Sequence, residues 1–355
     1  MTPNNTVVVT DQLENVLALS MAAFPEDKLF LVVDQNSNRF CLPLMCDTPG
    51  IEKFKKIVIP AGEENKTLSS VELIWFFLSQ NGADRKSLVV NLGGGMVTDL
   101  GSFAASTFKR GVQFINIPTT LLAQVDASVG GKTGFNFNGL KNEIGVINQP
   151  LQVIIDTRFL NTLDQANLLS GYTEMIKHGL IHSQDHLTEL RKFDLHQPDF
   201  HVLKQMISHS VLIKNYFVEK DPHEKGIRKA LNFGHTVGHA FESFSLKHSN
   251  PLLHGHAVAF GMIVELYLSQ VKCGFPVGEM QSLSSWLMSV YGKYQIKTED
   301  YICLFELMGH DKKNEGKRIN FTLLPSVGEV EINQNCSQQE IFEALDYFRR
   351  LNNDR

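Results

Sequence analysis

The chain has 355 residues and a formal net charge of −5, which suits a globular protein with one large domain or two ordinary ones. The slightly acidic balance argues against a general nucleic-acid-binding protein, in which a basic stripe is expected. Five cysteines at irregular spacings argue against a disulfide framework. We find neither a secretory signal nor an apolar run of about 20 residues that could span a membrane, so we expect a cytoplasmic protein.

The first half of the chain alternates short apolar segments with helical patterns. These patterns predict strands at 29–34, 55–60, 87–95, 114–120 and 152–157, and helices at 70–82 and 99–108. The regular alternation indicates a parallel sheet covered by helices on both faces. Ligands of such sheets bind beyond the carboxyl ends of the strands, which draws attention to the polar residues Asp34, Asn91 and Asp156.

After about residue 163 the pattern becomes mostly helical. Helical periodicity covers 199–217 and 256–271, and one β-like segment interrupts it at 318–325. We therefore predict an α/β, Rossmann-like N-terminal domain with a parallel sheet at residues 1–160. A mostly α-helical C-terminal domain is predicted at 161–355.

A glycine-rich segment at 89–101 has the strand, turn and helix context of a phosphate-binding loop. Three adjacent glycines, at 93–95, would allow close backbone approach, and the following helix would offer free N–H groups to a pyrophosphate. Asp99 is expected in the first turn of that helix. Thr98 stands where the usual dinucleotide-binding fingerprint has its last glycine, so a tight turn without a ligand is the alternative.

A second loop, at 60–67, follows the predicted strand at 55–60. Its Glu63 and Lys66 could reach a ribose and a phosphate. A solvated surface loop is the alternative for this segment.

Five candidate metal ligands lie in segments rich in glycine and apolar residues: Glu174, His235, His239, His254 and His256. His235 and His239 are four residues apart and would share one face of a helix. A carboxylate with two imidazoles is a familiar set for a divalent metal that keeps a position open for substrate. Asn232 and Thr236 are expected to orient the ligands. The spacing does not decide which three residues bind, and ordinary packed or surface histidines are the alternative.

Several cations lie beside glycines or apolar residues instead of pairing with glutamates along helix faces: Lys109, Arg110, Lys132, Lys141, Lys177, Lys214, Arg228, Lys312 and Lys313. Convergent cations suit a substrate that carries a carboxylate and a phosphate. For each residue taken singly, a solvated surface position is the alternative.

Taken together, these segments resemble the 3-dehydroquinate synthase family, which belongs to the sugar phosphate cyclases. The resemblance runs from about residue 33 to 328 and rests on motifs in the family's order. The most specific are PTTLLAQVDASVGGKT at 118–133 and NFGHTVGHA at 232–240, supported by PAGEENKT, GGGMVTDLGSFAA, GYTEMIKHG and LLHGHAVAFGM.

The resemblance implies residue roles that the spacing leaves open. It implies that Glu174, His235 and His254 hold zinc or cobalt. It implies an NAD site at Asp34, Gly62, Glu63, Lys66, Gly94, Gly95, Met96, Val97, Thr98, Asp99, Thr119, Thr120, Lys132, Lys141, Phe159, Leu160, Asn161 and Thr162. It implies substrate or catalytic contacts at Asp126, Lys132, Lys141, Asn142, Lys177, Lys214, Arg228, Asn232, His239 and Lys312, for which the adjacent Lys313 is the alternative. It also implies that Arg110 reaches the phosphate across a homodimer interface.

The family converts 3-deoxy-D-arabino-heptulosonate 7-phosphate into 3-dehydroquinate and phosphate, a step of the shikimate pathway of aromatic amino acid biosynthesis. The resemblance implies transient oxidation by NAD, phosphate elimination, re-reduction and intramolecular aldol closure. The acidic balance and the lack of a long apolar run predict no nucleic-acid or membrane partner. The sequence departs from the family pattern at Thr98 and Leu140, which replace glycines, and at His256, which replaces a glutamate. The departure at His256 bears on the choice of metal.

Three other functions remain as alternatives. A different sugar phosphate cyclase would act on glucose 6-phosphate or sedoheptulose 7-phosphate. A polyol dehydrogenase that uses NAD and a metal would release NADH. A non-catalytic protein that binds NAD or stores metal would need no convergent cations.

Overall fold

The computed structural model describes residues 6–138, 140–247, 251–309 and 319–353. Contacts between residues divide the chain into two compact units. The first unit comprises Met1–Leu168 and Asp199–Val211, and the second comprises Leu169–Pro198 and Leu212–Arg355.

The first unit contains a six-stranded parallel sheet within the described residues. Its strands are β1 (Val7–Val9), β2 (Leu29–Asp34), β3 (Lys55–Ile59), β4 (Leu88–Gly93), β5 (Gln113–Pro118) and β8 (Gln152–Ile155), and between the last two lie β6 (Lys132–Phe137) and β7 (Leu140–Ile147). The order across the sheet is β1-β8-β5-β4-β2-β3, and each neighbouring pair is parallel. The predicted parallel sheet is therefore confirmed.

Helices cover both faces of this sheet. They are α1 (Leu13–Met21), α2 (Leu68–Gln80) and α3 (Gly95–Thr107). Successive residues of a strand point to opposite faces, so Val32 packs in one core cluster with residues of α2 and α3. Its neighbour Val33 packs in a second cluster with Leu13 and Leu17 of α1. This double coverage explains why β2 is a continuous apolar run up to Asp34.

Helix α3 begins earlier than the sequence predicts. Gly94 has an extended conformation and precedes the first helical residue, Gly95, whereas the predicted start was residue 99. Glycine disfavours helix in sequence-based reasoning, which explains the error. As a consequence Asp99 lies in the second turn of α3, and its expected place in the first turn is wrong.

Strands β6 and β7 form an antiparallel hairpin that the sequence analysis did not predict. Phe135 of β6 is buried, and its ring contacts Phe103 of α3 edge-on at 5.2 Å. All eight residues of β7 are exposed, so no alternation of apolar and polar burial marks this strand.

The second unit is mostly helical, as predicted. Its helices are α4 (Gln165–His182), α5 (Gln184–Lys192), α6 (Phe200–Lys220), α7 (His235–Ser245), α8 (His254–Cys273), α9 (Val277–Tyr291), α10 (Tyr301–Gly309) and α11 (Gln338–Asn353), of which α4 and α6 begin in the first unit. Strands β9 (Asn320–Ser326) and β10 (Glu329–Asn335) pair antiparallel. None of the described helices is long and apolar enough to cross a membrane.

Glycines allow α7 and α8 to approach each other closely. A Cβ atom on Gly261 would lie 2.1 Å from the carbonyl oxygen of Gly234, and one on Gly238 would lie 2.9 Å from the Cα of Val258. Both distances are too short for real contacts, so a larger residue would push the helices apart. This close packing holds the first turns of α7 against α8, and the ring centroids of His235 and His254 lie 5.5 Å apart.

Candidate functional site

Most of the residues predicted to bind NAD follow the carboxyl ends of five parallel strands. Asp34 ends β2, 62–66 follow β3, 94–99 follow β4, and 119–120 follow β5, while 159–162 follow β8. Because these strands are parallel neighbours in one sheet, the loops lie along a single edge. This is the edge at which open α/β sheets bind dinucleotides. The hairpin that carries Lys132 and Lys141 lies between β5 and β8 in the sequence and is not part of this sheet.

The glycine turn after β4 is shaped by close contacts. A Cβ atom on Gly94 would lie 3.1 Å from Thr120 Cγ2, and one on Gly95 would lie 3.1 Å from the Cβ of Ala127. The turn therefore packs against the segment after β5 and leaves the first N–H groups of α3 at a surface that is only partly buried. A helix start that has glycines and free N–H groups can bind a pyrophosphate, because no side chain blocks the approach of the phosphates.

A role expected of the missing fingerprint glycine is filled by Gly101. A Cβ atom at Gly101 would lie 1.9 Å from Asn91 Oδ1, so glycine is needed where α3 crosses β4. Thr98 is buried, and its hydroxyl donates a hydrogen bond to the carbonyl oxygen of Gly95 at 3.1 Å. The Thr98 side chain therefore stabilises the start of α3. Gly101 lies three residues beyond the position that the fingerprint reserves for its last glycine, so a search for the motif does not find it.

Lys66 lies at the centre of a polar network in the first unit. Its Nζ donates to Asp99 Oδ2 at 2.6 Å and to Asn142 Oδ1 at 2.5 Å, and the residue is only 4% exposed. Burial disfavours the charged ammonium, but the negative charges of Asp99 and Glu63 outweigh it and raise the pKa of Lys66. Asn136, which the sequence analysis missed, accepts a hydrogen bond from the Asn142 amide and donates to Glu63 Oε1.

Two of the polar residues predicted at strand ends have structural roles. Asn91 lies inside β4, is fully buried and donates to Asn116 Oδ1 of the neighbouring strand at 2.8 Å. Asp156 accepts hydrogen bonds from Arg158, whose guanidinium also binds both carboxylate oxygens of Glu14. The candidate role of both residues in ligand binding is therefore not supported by their contacts.

The remaining residues of the predicted NAD set differ in exposure. Asp34 is partly buried and accepts a hydrogen bond from the Ser37 amide at 2.6 Å. The buried members are Val97, Thr98, Thr119, Phe159 and Leu160, the partly buried members are Met96, Thr120 and Thr162, and the exposed members are Gly62, Glu63, Lys132, Lys141 and Asn161. The buried residues pack the turns, and the other residues are at least partly exposed at the surface.

Three imidazoles converge in the second unit, at the starts of α7 and α8. One ring nitrogen from each of His235, His239 and His254 lies within 4.8 Å of the others. Glu174 of α4 adds a carboxylate, because its Oε1 lies 3.5 Å from His235 Nε2. The structure thus brings together four of the five predicted metal candidates. The fifth, His256, packs its ring edge-on against Tyr291, and burial lowers its pKa.

Glu174 has the features of a metal ligand. It is fully buried, its Oε2 accepts a hydrogen bond from Lys177 Nζ, and its Oε1 has no hydrogen-bond partner among the described residues. A buried carboxylate oxygen without a partner is costly unless a cation binds it. An orphaned carboxylate oxygen that faces imidazoles matches the donor set of zinc and related divalent metals.

The ring orientations are fixed by groups other than those expected. His235 Nδ1 lies 3.2 Å from the carbonyl oxygen of Phe233, which leaves Nε2 facing Glu174. By contrast, Asn232 Nδ2 donates to Glu224 Oε1, and the Thr236 hydroxyl donates to the carbonyl oxygen of Asn320. The expectation that Asn232 and Thr236 orient the metal ligands is wrong, because their side chains bind elsewhere.

The predicted substrate cations fall into buried and exposed groups. Lys177, Lys214 and Arg228 of the second unit are at most 5% exposed, and Arg228 Nη1 donates to the Pro222 carbonyl oxygen at 2.8 Å. Asp126 and His239 are partly buried. In the first unit, Lys132, Lys141, Asn142 and Arg110 are exposed. Lys312 and Lys313 lie outside the described residues.

Arg110 is displayed by an unusual turn. Lys109 and Arg110 both have a left-handed backbone, with φ of 52° and 67°, and Gly111 follows with φ of 118°. Consecutive non-glycine residues in this conformation are strained, and such strain is concentrated at functional sites. The turn projects an exposed arginine from the end of α3.

Comparison with known proteins identifies the family. Two family models match, described as 3-dehydroquinate synthase N-terminal, at residues 56–170, and 3-dehydroquinate synthase C-terminal, at 171–314. A 3-dehydroquinate synthase of Parabacteroides distasonis is 51% identical over 97% of this chain and 97% of its own length. The chain belongs to the 3-dehydroquinate synthase family. The resemblance predicted from the motifs is confirmed, and so is the class of enzyme, a lyase that acts on phosphate-containing substrates.

Solved structures agree on the fold. A 2-epi-5-epi-valiolone synthase of Streptomyces hygroscopicus subsp. jinggangensis 5008, with NAD+ and Zn2+ bound, has a TM-score of 0.85 at 23% identity, covering 97% of this chain and 96% of that one. A 2-deoxy-scyllo-inosose synthase in complex with carbaglucose-6-phosphate, NAD+ and Co2+ has a TM-score of 0.82 at 23% identity with the same coverage. The predicted combination of a Rossmann-like part and a mostly helical part is confirmed.

Proposed function

We propose that this chain catalyses the reaction of its family, the conversion of 3-deoxy-D-arabino-heptulosonate 7-phosphate into 3-dehydroquinate and phosphate. The observation that carries the proposal is the buried Glu174 Oε1, which lies 3.5 Å from Nε2 of His235, one of three convergent imidazoles in a member of this family. The 51% identical relative bears the name of this activity, whereas the cyclases that act on other sugars are similar at 23% identity.

Two cofactors complete the proposal. When bound, NAD accepts and returns a hydride, and a divalent metal polarises a substrate hydroxyl. We assign zinc or cobalt to Glu174, His235 and His254, and leave His239 facing the substrate. The NAD site is assigned to the loops after β2, β3, β4, β5 and β8, which agrees with the proposed roles of residues 1–160 for NAD and 161–355 for metal and substrate.

Lys177 and His239 lie near the proposed metal site, and we assign each of them a role in the reaction. Lys177 holds Glu174 Oε2, which turns Oε1 toward His235. The buried Lys177 ammonium also stabilises negative charge that develops on a substrate oxygen. The partly buried His239 can accept or donate a proton there, because imidazole titrates near neutral pH.

The substrate has two anionic groups, and the chain offers two kinds of cation. Lys214 and Arg228 are buried and suit a carboxylate that is removed from water, and Asn232 lies close to Arg228 in the chain. In the first unit, Lys132, Lys141 and Asn142 lie on the hairpin, where Asn142 also binds the Lys66 ammonium. Fixing both anionic groups holds the substrate in one reactive conformation.

A homodimer is part of the proposal. Phe137, Leu140 and Ile147 of the hairpin are about half exposed, at 48%, 50% and 52%. An exposed apolar strand of this kind favours contact with another protein surface. We assign that surface to a second copy, in which Arg110 would reach the substrate phosphate. A cytoplasmic location and the absence of nucleic-acid and membrane partners are proposed with it.

A substrate comparison tests the proposed function. Purified protein with NAD and zinc or cobalt is supplied separately with the heptulosonate phosphate, glucose 6-phosphate and sedoheptulose 7-phosphate, and phosphate release is measured. We expect release only with the heptulosonate phosphate, accompanied by an equal amount of 3-dehydroquinate. Release from one of the other sugars instead would assign the chain to another cyclase, and no release from any would contradict the proposal.

The metal assignment has its own test. Glu174→Gln should abolish metal retention and activity, because a neutral amide replaces the only carboxylate of the proposed set. Glu306→Gln makes the same chemical change at an exposed position of α10 and should keep both. Metal content per chain is measured by elemental analysis. A fully active Glu174→Gln protein without metal would refute the ligand set.

A further inference from the structure

Helix α7 carries a third polar residue on the face of its two histidines. His235, His239 and Glu242 are spaced four and three residues apart, so their side chains follow one another along one side of the helix. Glu242 is only 6% exposed. A carboxylate this deeply buried needs a partner of complementary chemistry.

The partner of Glu242 is a predicted metal ligand on the next helix. Glu242 Oε2 lies 3.3 Å from His254 Nδ1. An ionised carboxylate only accepts hydrogen bonds, so Nδ1 of His254 must carry the proton in this contact. The lone pair of the neutral ring is then on Nε2, the nitrogen available to a metal. His235 has the corresponding arrangement, since its Nδ1 lies 3.2 Å from the Phe233 carbonyl oxygen.

We propose that Glu242 is a positioning residue that fixes the tautomer and ring orientation of His254 for metal binding. This inference rests on the proposed function, because it takes His254 as a ligand. Glu242 does not bind the metal in this proposal. It acts through the imidazole, because accepting a hydrogen bond from Nδ1–H increases the electron density at Nε2. Hydrogen bonds of this kind raise ligand basicity, and their loss typically costs 10–100-fold in metal affinity.

His235 and His254 differ in the kind of group that orients each ring, and this difference makes Glu242 important for His254. His235 is held by a backbone carbonyl, which a side-chain substitution cannot remove. His254 is held by a side chain that comes from a different helix, and its ring is 29% exposed, compared with 12% for His235. Without Glu242 the more exposed ring has greater freedom to rotate or to change tautomer.

The test compares Glu242→Gln with the wild-type protein and with Glu306→Gln as the matched control. The dissociation constant for Zn2+ is measured by competition with a chromophoric chelator, and the visible absorption spectrum of the Co2+-loaded protein is recorded. We expect Zn2+ binding 10–100-fold weaker in Glu242→Gln and a changed Co2+ spectrum, with both properties retained in Glu306→Gln. An unchanged affinity and spectrum would overturn the proposal.

A second variant separates positioning from a structural role. Glu242→Asp keeps the carboxylate on a shorter arm, so it should restore part of the Zn2+ affinity that Glu242→Gln loses, and it replaces that variant if Glu242→Gln does not fold. Equal losses in both variants, with normal Co2+ spectra, would indicate a structural role and overturn the inference. Wild-type protein that binds no Zn2+ would overturn the proposed metal site together with this inference, whereas tight wild-type binding with an unaffected Glu242→Gln would overturn this inference alone.

Discussion

The close packing of α7 on α8 predicts a large effect from the smallest side-chain addition, Gly261→Ala. The added Cβ would lie 2.1 Å from the Gly234 carbonyl oxygen and 2.6 Å from the Gly238 amide nitrogen, and both neighbours are backbone atoms that cannot rotate away. One helix must therefore move by about 1 Å to reach an allowed contact. Such overpacking costs about 1–3 kcal/mol or more, and the higher helix propensity of alanine offsets about 1 kcal/mol of it.

We expect Gly261→Ala to lower the free energy of unfolding by about 1–2 kcal/mol and to weaken metal binding, because the shift separates His235 and His239 from His254. The matched control is Gly278→Ala on α9, where an added Cβ meets nothing within 4 Å. Urea denaturation monitored by circular dichroism measures both variants. Equal or greater stability of Gly261→Ala relative to Gly278→Ala would refute the packing argument.

Three further predictions follow from buried or paired charges. Lys66→Met should weaken NAD binding about tenfold or more, because it removes the ammonium that donates to Asp99 Oδ2 beside the glycine turn. Equilibrium fluorescence titration measures this, and an unchanged affinity would contradict it. The hydrogen bond from Arg158 lowers the pKa of Glu14 below its ordinary value of 4.5. The difference in unfolding free energy between wild type and Glu14→Gln should therefore be constant above about pH 5 and disappear as the pH falls through the lowered pKa. A difference that does not depend on pH would refute this prediction. Glu265 accepts hydrogen bonds from the Gly234 and Val237 amides at the start of α7, so its replacement by Ala should cost about 2–3 kcal/mol in urea denaturation, and a loss below 0.5 kcal/mol would contradict that role.

The parallel sheet was predictable because its central strands are buried on both sides. Each of β2, β4 and β5 is therefore a mostly apolar run that ends at a polar or turn residue, which the sequence displays directly. The exposed strand β7 has no such signature, so its hairpin was not predicted. The start of α3 was misplaced because glycines at 94–95 count against a helix in sequence reasoning.

The candidate site was predictable where one short segment carries the chemistry. The spacing of His235 and His239 places both on one face of α7, and the structure adds His254 and Glu174 from other helices. Contacts between distant segments left no comparable signal. Glu242 could be suspected from its position three residues after His239, but its partner begins another helix, and only the packing of α7 on α8 brings them together.

The same limit explains the errors at polar residues. Asn91 stood near a predicted strand end, yet it lies within the strand and binds Asn116 of the neighbouring strand. Thr236 stood beside a predicted ligand, yet it binds the backbone of β9. In both cases the hydrogen-bond partner is distant in sequence. The position of a residue next to a predicted site did not predict which group its side chain binds.

The fate of the hydride tests the central claim most directly. The protein is supplied with the heptulosonate phosphate in large excess over NAD, and 3-dehydroquinate and NADH are measured together as the reaction proceeds. We predict many molecules of 3-dehydroquinate for each NAD and no net accumulation of NADH, because a synthase returns the hydride within each turnover. Accumulation of NADH in proportion to substrate consumed would show a dehydrogenase and contradict the account.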